Sequence, residues 1–255
     1  MKLKKIIGLA LAALMVVGLA ACRSDDEVIR MGTNAEFPPF EFVVDGGDII
    51  GIDVAIARAI AEELGKRLEI VDMEFASLLI ALNNNEVDFV AAGMTASGPR
   101  GEERRESVDF SIPYYRAMQA IIVSADNTEI TSAADLQGRN VAAIAGYTGY
   151  DVARGDLGLQ NVSAFSSPAF AVTALQQGSV EAIVIDYTTA IALSNLNDGL
   201  RVVTDEPVFG NEYYAIAVRQ GDTELLDTIN LVLERLIESG ELDRIIAYYT
   251  ERMQD

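Results

Sequence analysis

The sequence predicts an α/β fold with largely parallel sheets. Short apolar runs alternate with helix-period patterns along the 255 residues, and the same strand–helix alternation returns in the second half of the chain. No repeat of roughly 20–50 residues is visible. At 50% hydrophobic residues the chain can build real cores, and its length allows one large domain or two lobes.

The elements follow in order. Val28–Thr33 reads as a strand, and Phe37-Pro38-Pro39-Phe40 breaks it. Asp53 is placed to cap a helix whose apolar positions are Val54, Ile56, Ala57, Ile60, Ala61 and Leu64, with Gly65 as its stop. A strand at 68–73, a short helix at 76–82 and a buried strand at 88–94 come next. The later pattern is a strand at 141–145, a helix at 169–176, a strand at 181–186 and the helix Tyr187–Leu196. Two closing helices are expected at 223–239 and 242–252. In such sheets ligands bind beyond the carboxyl ends of the strands.

Composition removes whole classes of chemistry. The chain has no His, no Trp and a single Cys, Cys22. A Ser–His–Asp triad, a Cys–His pair, a His or Cys zinc site and an intramolecular disulfide are therefore excluded. No metal and no cofactor is expected. The net charge of −20 leaves no basic footprint for nucleic acid. Acidity on this scale suits solubility outside the cell, and it identifies no ligand.

The first residues read as a sorting signal. Lys2, Lys4 and Lys5 precede an apolar run from Ile6 to Ala20, too short for a membrane span of about 20 residues. The run ends in Leu19-Ala20-Ala21-Cys22 and is followed by polar Arg23-Ser24-Asp25-Asp26. Leu-Ala-Ala-Cys resembles a bacterial lipobox. That resemblance implies a lipoprotein signal peptide at 1–21, lipidation (such as by palmitate) of Cys22 as the mature N-terminus, and a tether at 22–27. The protein would then be anchored to the cell membrane on its extracytoplasmic side.

Downstream, a series of motifs recurs in order: Gly32-Thr33-Asn34-Ala35-Glu36-Phe37-Pro38-Pro39-Phe40-Glu41-Phe42, Gly51-Ile52-Asp53-Val54, and Ala91-Ala92-Gly93-Met94-Thr95. Then come Ser107-Val108-Asp109-Phe110-Ser111-Ile112-Pro113-Tyr114-Tyr115, Gly146-Tyr147-Thr148-Gly149 and Leu242-Asp243-Arg244-Ile245-Ile246. Together they resemble the periplasmic polar-amino-acid-binding proteins of ATP-binding-cassette (ABC) importers. The resemblance implies a two-lobed periplasmic-binding-protein-like α/β fold, with a ligand cleft between lobes joined by two crossing strands. Lobe 1 would be 28–115 plus 213–255, and lobe 2 would be 116–212. The lobes would close over the ligand by a hinge motion.

A free amino acid is a zwitterion, and burying it requires a cation for its carboxylate and an anion or carbonyls for its ammonium. Arginine suits the carboxylate through its planar fork. Counting forward from Thr95 selects Arg100, whereas counting back from Asp109-Phe110-Ser111 selects Arg104. Reading Gly98 to Gly101 as a four-residue insertion favours Arg104. Arg105 reads as a solvated charge. The resemblance implies that Thr95 and Thr148 meet the carboxylate, and that Asp186 and the Gly93 carbonyl meet the ammonium. As an alternative, Asp186 is a plain helix cap. Phe37 and Phe75 would sandwich the ligand side chain. Asn34 and Glu36 are the candidates for reading that side chain. Some relatives that take basic amino acids carry a carboxylate where Asn34 stands, which weakens a basic-ligand expectation, and Glu36 either supplies the anion or faces solvent.

The expected function is therefore non-enzymatic: a monomer that binds a polar amino acid, basic ones among the candidates, and delivers it to an ABC permease. An enzyme resembling the cyclohexadienyl dehydratases is the alternative, with Glu36 as its proton donor. A receptor's sensory domain would be followed by membrane-spanning and signalling segments, and the sequence shows none up to Asp255.

Overall fold

The computed structural model describes residues 27–205 and 209–253. Cys22, the signal at 1–21 and all of the tether but Glu27 lie outside the described residues. In chain order the strands are β1 (Val28–Thr33), β2 (Glu36–Phe37), β3 (Glu41–Val43), β4 (Ile49–Ile50), β5 (Arg67–Asp72), β6 (Phe89–Val90) and β7 (Val108–Phe110). They are followed by β8 (Tyr115–Ser124), β9 (Val141–Ile144), β10 (Val162–Phe165), β11 (Ala182–Asp186), β12 (Leu200–Val203), β13 (Asn211–Tyr214) and β14 (Ala217–Arg219).

Two large sheets result, ordered β5-β1-β6-β14-β7 and β10-β9-β11-β8-β12, with β2-β3-β4 as a small third sheet. The expected α/β class holds. The expected largely parallel direction holds for four of the five strands in each order, and a single strand is reversed, β14 in the first sheet and β8 in the second. The reason lies in the strands that carry the chain between sheets. β8 carries the chain into the second sheet and β14 lies where it has returned to the first, and each runs against its neighbours. The first half of β8 pairs antiparallel with β13, matching Tyr115 to Tyr214 and Met118 to Asn211. Its second half, from Gln119, pairs with β11.

The helices form where apolar spacing calls for them. Ile52–Glu63 buries Ile52, Val54, Ile56, Ala57, Ile60 and Ala61 against the first sheet. Each fully buried aliphatic side chain is worth about 1.5–3 kcal/mol, which outweighs the modest helix propensity of Val and Ile. Gly65, at φ 65°, follows its end. Ser167 caps Pro168–Gln176, Asp186 caps Tyr187–Leu196 and Asp222 caps Thr223–Glu238. The expected strand at 88–94 is shorter than its apolar run, with ladder pairing only at Phe89–Val90. Beyond it the chain bends to reach Thr95, and Gly93 takes φ 53°.

Asp53 corrects the sequence expectation. Gly51 is the N-cap of its helix, and Asp53 lies fully buried in the first turn. Its Oδ2 accepts from Gly93 N at 2.8 Å and from Tyr114 Oη at 2.7 Å. Glu41, also fully buried, stands beside it. Burial pushes the Asp53 carboxyl up to about 6. Burial, reinforced by Asp53, raises Glu41 well above the carboxylate range. Two adjacent buried carboxyls resist ionising together, so one keeps its proton. Glu41 holds it, because Asp53 already accepts two donors.

Unfolded carboxylates ionise near pH 4, whereas this pair keeps its proton when folded. The stability Asp53 contributes is present at low pH and is lost as pH rises from about 4 through about 6, and Glu41, raised further, extends the loss to higher pH. Thermal unfolding at pH 5 and pH 8 measures the loss. Glu41→Gln removes the obligatory proton and is expected to shrink it. An unchanged pH dependence in the variant contradicts the retained proton.

Candidate functional site

The carboxyl ends of strands from both sheets converge on one narrow cavity of about 20 Å³. The first lobe supplies Phe37, Phe75, Gly93, Thr95 and Arg104 to its wall. The second supplies Gln119, Tyr147, Thr148, Gly149 and Asp186, and Tyr214 comes from β13.

Arg104 is held in the last turn of the helix Gly98–Arg105. The four residues read as an insertion form the first turn of that helix, with Pro99 at its start. Arg100 and Arg104 are thus one turn apart, which is why counting from either side found a plausible arginine. Their surroundings differ. Arg104 is only 7% exposed, and its guanidinium donates to Thr95 O at 2.7 Å and Gly146 O at 3.0 Å, one carbonyl from each lobe. It also lies 5.4 Å from the centroid of the Phe75 ring. Among the described residues no carboxylate forms an ion pair with it. Burial, then the neighbouring Arg100, lowers its guanidinium to about 10, so it stays charged at neutral pH. Arg100 is absent from the cavity wall and instead grips Asp151 of the second lobe, through Nε to Oδ2 at 2.6 Å and Nη2 to Oδ1 at 2.5 Å. Arg105 turns back to the Ala96 carbonyl.

Asp186 is the last residue of β11 and is 2% exposed. Oδ1 caps the following helix by accepting from Thr188 N at 2.9 Å and Thr189 N at 3.2 Å, and Oδ2 accepts from Tyr214 Oη at 2.7 Å. The cap and the cavity position coexist in one carboxylate. Burial pushes it up to about 7 against the pull of those donors.

Phe37 and Phe75 both line the cavity, and the Tyr147 ring packs edge-on against each, at 5.3 Å and 4.7 Å between centroids. Asn34 is buried outside the wall, donating to Met73 O at 3.1 Å and accepting from Tyr147 Oη at 2.8 Å. Glu36 is exposed and does not line the cavity. Thr95 and Thr148 face each other across the lobes, with oxygens 3.5 Å apart. Gln119, Tyr147 and Tyr214 line the cavity although sequence reasoning passed over them, and Glu212 contacts the wall from outside it. A lone Gln inside the buried apolar strand β8 was the visible signal for Gln119. Nothing local marked Glu212, whose carboxylate accepts from both threonines.

The geometry sets a cation, Arg104, and a carboxyl group, Asp186, on the wall of the same small cavity. The chain matches the model of the bacterial extracellular solute-binding proteins, family 3, over residues 29–252. It belongs to that family. Membership places it outside the cytoplasm. The chain is 33% identical to the probable histidine-binding protein of Neisseria gonorrhoeae, over 98% of this chain and 96% of that one. It is 32% identical to the arginine-binding extracellular protein ArtP of Bacillus subtilis, over 95% and 96%. Among solved structures, an ancestral arginine-binding protein bound to glutamine superimposes with a TM-score of 0.81 at 37% identity, covering 88% of this chain and 97% of that one. Among the described residues no helix is long and apolar enough to cross a membrane, and no cluster of three or more His, Cys, Asp or Glu could hold a metal.

Gly93 is a second structural requirement of the site. A Cβ there would stand 2.4 Å from Phe37 Cε1, whereas one at Gly98, at a similar φ of 62°, would meet nothing. Gly98→Ala is expected to cost about 1 kcal/mol of backbone strain, and Gly93→Ala about 2–3 kcal/mol through strain plus collision. Denaturant unfolding of the two variants measures the difference. Equal losses contradict the close packing of Phe37.

Proposed function

We propose that the protein captures a free polar amino acid outside the cytoplasm and passes it to the membrane permease of an ABC importer. The observation that carries this reading is the pairing of Arg104 and Asp186 in one buried cavity. Isolated buried charges cost several kcal/mol each. A guanidinium whose own partners are carbonyls and a carboxylate held by neutral donors suit the two ends of an amino acid. The α-carboxylate would bridge Arg104 and the turn at Thr148. The α-ammonium would reach Asp186 and the Gly93 carbonyl, and Phe37 and Phe75 would flank the side chain. The names of the relatives, arginine- and histidine-binding proteins, support an amino acid as the solute.

The rest of the proposal is a monomer without catalysis, in two lobes at 28–115 plus 213–255 and 116–212, tied to the membrane through lipid on Cys22. The dehydratase reading asks for Glu36 as an acid in the cleft, and its exposure outside the cavity speaks against that role. Arg100, paired with Asp151, acts at the mouth of the cleft and not on the ligand.

A thermal-shift screen of the twenty amino acids tests this. At a thousandfold excess over Kd a true ligand is expected to raise Tm by on the order of 10 °C. Arg104→Ala and Asp186→Ala should abolish the shift while leaving the protein folded. Arg100→Ala removes a half-exposed ion pair worth roughly 1 kcal/mol or less, so affinity should change by about fivefold at most. No shift with any amino acid contradicts the proposal, and full affinity in Arg104→Ala contradicts the assignment of the clamp.

A further inference from the structure

The turn at Gly146 to Gly149 carries a large side chain across the cleft. Tyr147 is 8% exposed, and its ring stands against two phenylalanines of the other lobe at once. Its centroid lies 5.3 Å from that of Phe37, with the planes at 87°, and 4.7 Å from that of Phe75, with the planes at 66°. Its hydroxyl donates to Asn34 Oδ1 at 2.8 Å, and Asn34 Nδ2 in turn donates to Met73 O at 3.1 Å. Phe37, Phe75 and Tyr147 all line the cavity, and the hydroxyl reaches Asn34 behind them.

In the amino-acid reading, Phe37 and Phe75 flank the ligand side chain and Asn34 is a candidate for reading its tip. Tyr147 makes those same contacts from within the protein. Withdrawing the ring would uncover both phenylalanines and leave a buried amide oxygen without its donor. The backbone holds the ring in place as well. Gly146 O accepts from Arg104 Nη2 at 3.0 Å, and Thr148, proposed to meet the carboxylate, is the next residue in the chain. A turn that closes on an α-carboxylate therefore brings Tyr147 against the phenylalanines. Phe37 has no space to retreat toward Gly93, since a Cβ there would stand 2.4 Å from its ring. What this packing leaves is a cavity of about 20 Å³, with room for about one water molecule. Parting of the lobes makes space for an α-carbon and its two charged groups. A long side chain asks for the place of the ring in addition.

We propose that Tyr147 is a specificity-determining residue that fills the side-chain end of the cavity and selects an amino acid with a short polar side chain over one with a long side chain. This rests on the amino-acid reading above and names its ligand class. Serine is the model ligand, because its hydroxyl ends well short of Asn34.

Titration calorimetry with L-serine, L-homoserine, L-glutamine and L-arginine tests it. The wild-type protein is expected to bind serine at least on the order of tenfold more tightly than glutamine or arginine. Tyr147→Ala should strengthen glutamine and arginine by at least about tenfold and change serine by no more than about threefold, with circular dichroism unchanged. Tyr147→Phe keeps the ring and should keep the wild-type order. If Tyr147→Ala does not fold, the wild-type series decides, with affinity falling from serine through homoserine to glutamine. A wild-type affinity for glutamine or arginine that equals or exceeds that for serine overturns the inference. So does a uniform loss of affinity in Tyr147→Ala, which marks a ring that only joins the lobes. Failure of the wild-type protein to bind any amino acid sinks the amino-acid reading instead.

Discussion

A guanidinium buried at the meeting of two lobes constrains everything around it. Arg104 cannot shed its charge at neutral pH, and taking such a group out of water costs several kcal/mol unless polar partners surround it. Here those partners are a carbonyl from Thr95 in the first lobe and one from Gly146 in the second. The helix that carries Arg104 must therefore lie against both lobes. The turn at Gly146 to Gly149 must come close to the end of the strand leading to Thr95. A cleft whose cation is satisfied only by carbonyls is also one in which an incoming carboxylate has something to gain.

The same logic runs through the acids. Asp186 caps a helix, accepts from Tyr214 and still faces the cavity, so a single side chain links helix start, hinge strand and site. Asp53 and Glu41 form a layer below. Asp53 captures the N–H of Gly93 and the hydroxyl of Tyr114, tying the bend that leads to Thr95 to the segment just before the crossing strand β8. Glu212 adds the third carboxylate, joined to residues of both lobes. Arg100 and Asp151 add a bidentate contact between the lobes that is worth little in stability.

Much of the fold was legible because burial leaves periodic traces. The helix Tyr187–Leu196 has the limits its sequence suggests, since an apolar strand, a capping Asp and a helix-period run follow one another there. The strand at 88–94 was overcalled because apolar residues continue beyond the ladder, where the chain turns under the pull of Asp53. That residue itself looked like a cap because an acid at a helix start usually is one. The choice between Arg100 and Arg104 was undecidable by counting alone, as one helical turn separates them and only packing distinguishes the cavity from its mouth. Gln119 left only the trace of a polar residue inside an apolar strand, and Glu212 left none. Their roles arise from contacts across 93 residues of sequence, made when β8 and β13 cross.

The central claim is that the cavity recognises both charges of one zwitterion. Titration calorimetry with a tight-binding amino acid, its methyl ester and its N-acetyl derivative addresses this directly. Simultaneous recognition predicts that neutralising either end reduces affinity by at least on the order of a hundredfold, since each charge-assisted contact is worth about 1.5–3 kcal/mol and its loss leaves a buried partner unpaired. Retention of full affinity by either derivative would contradict it.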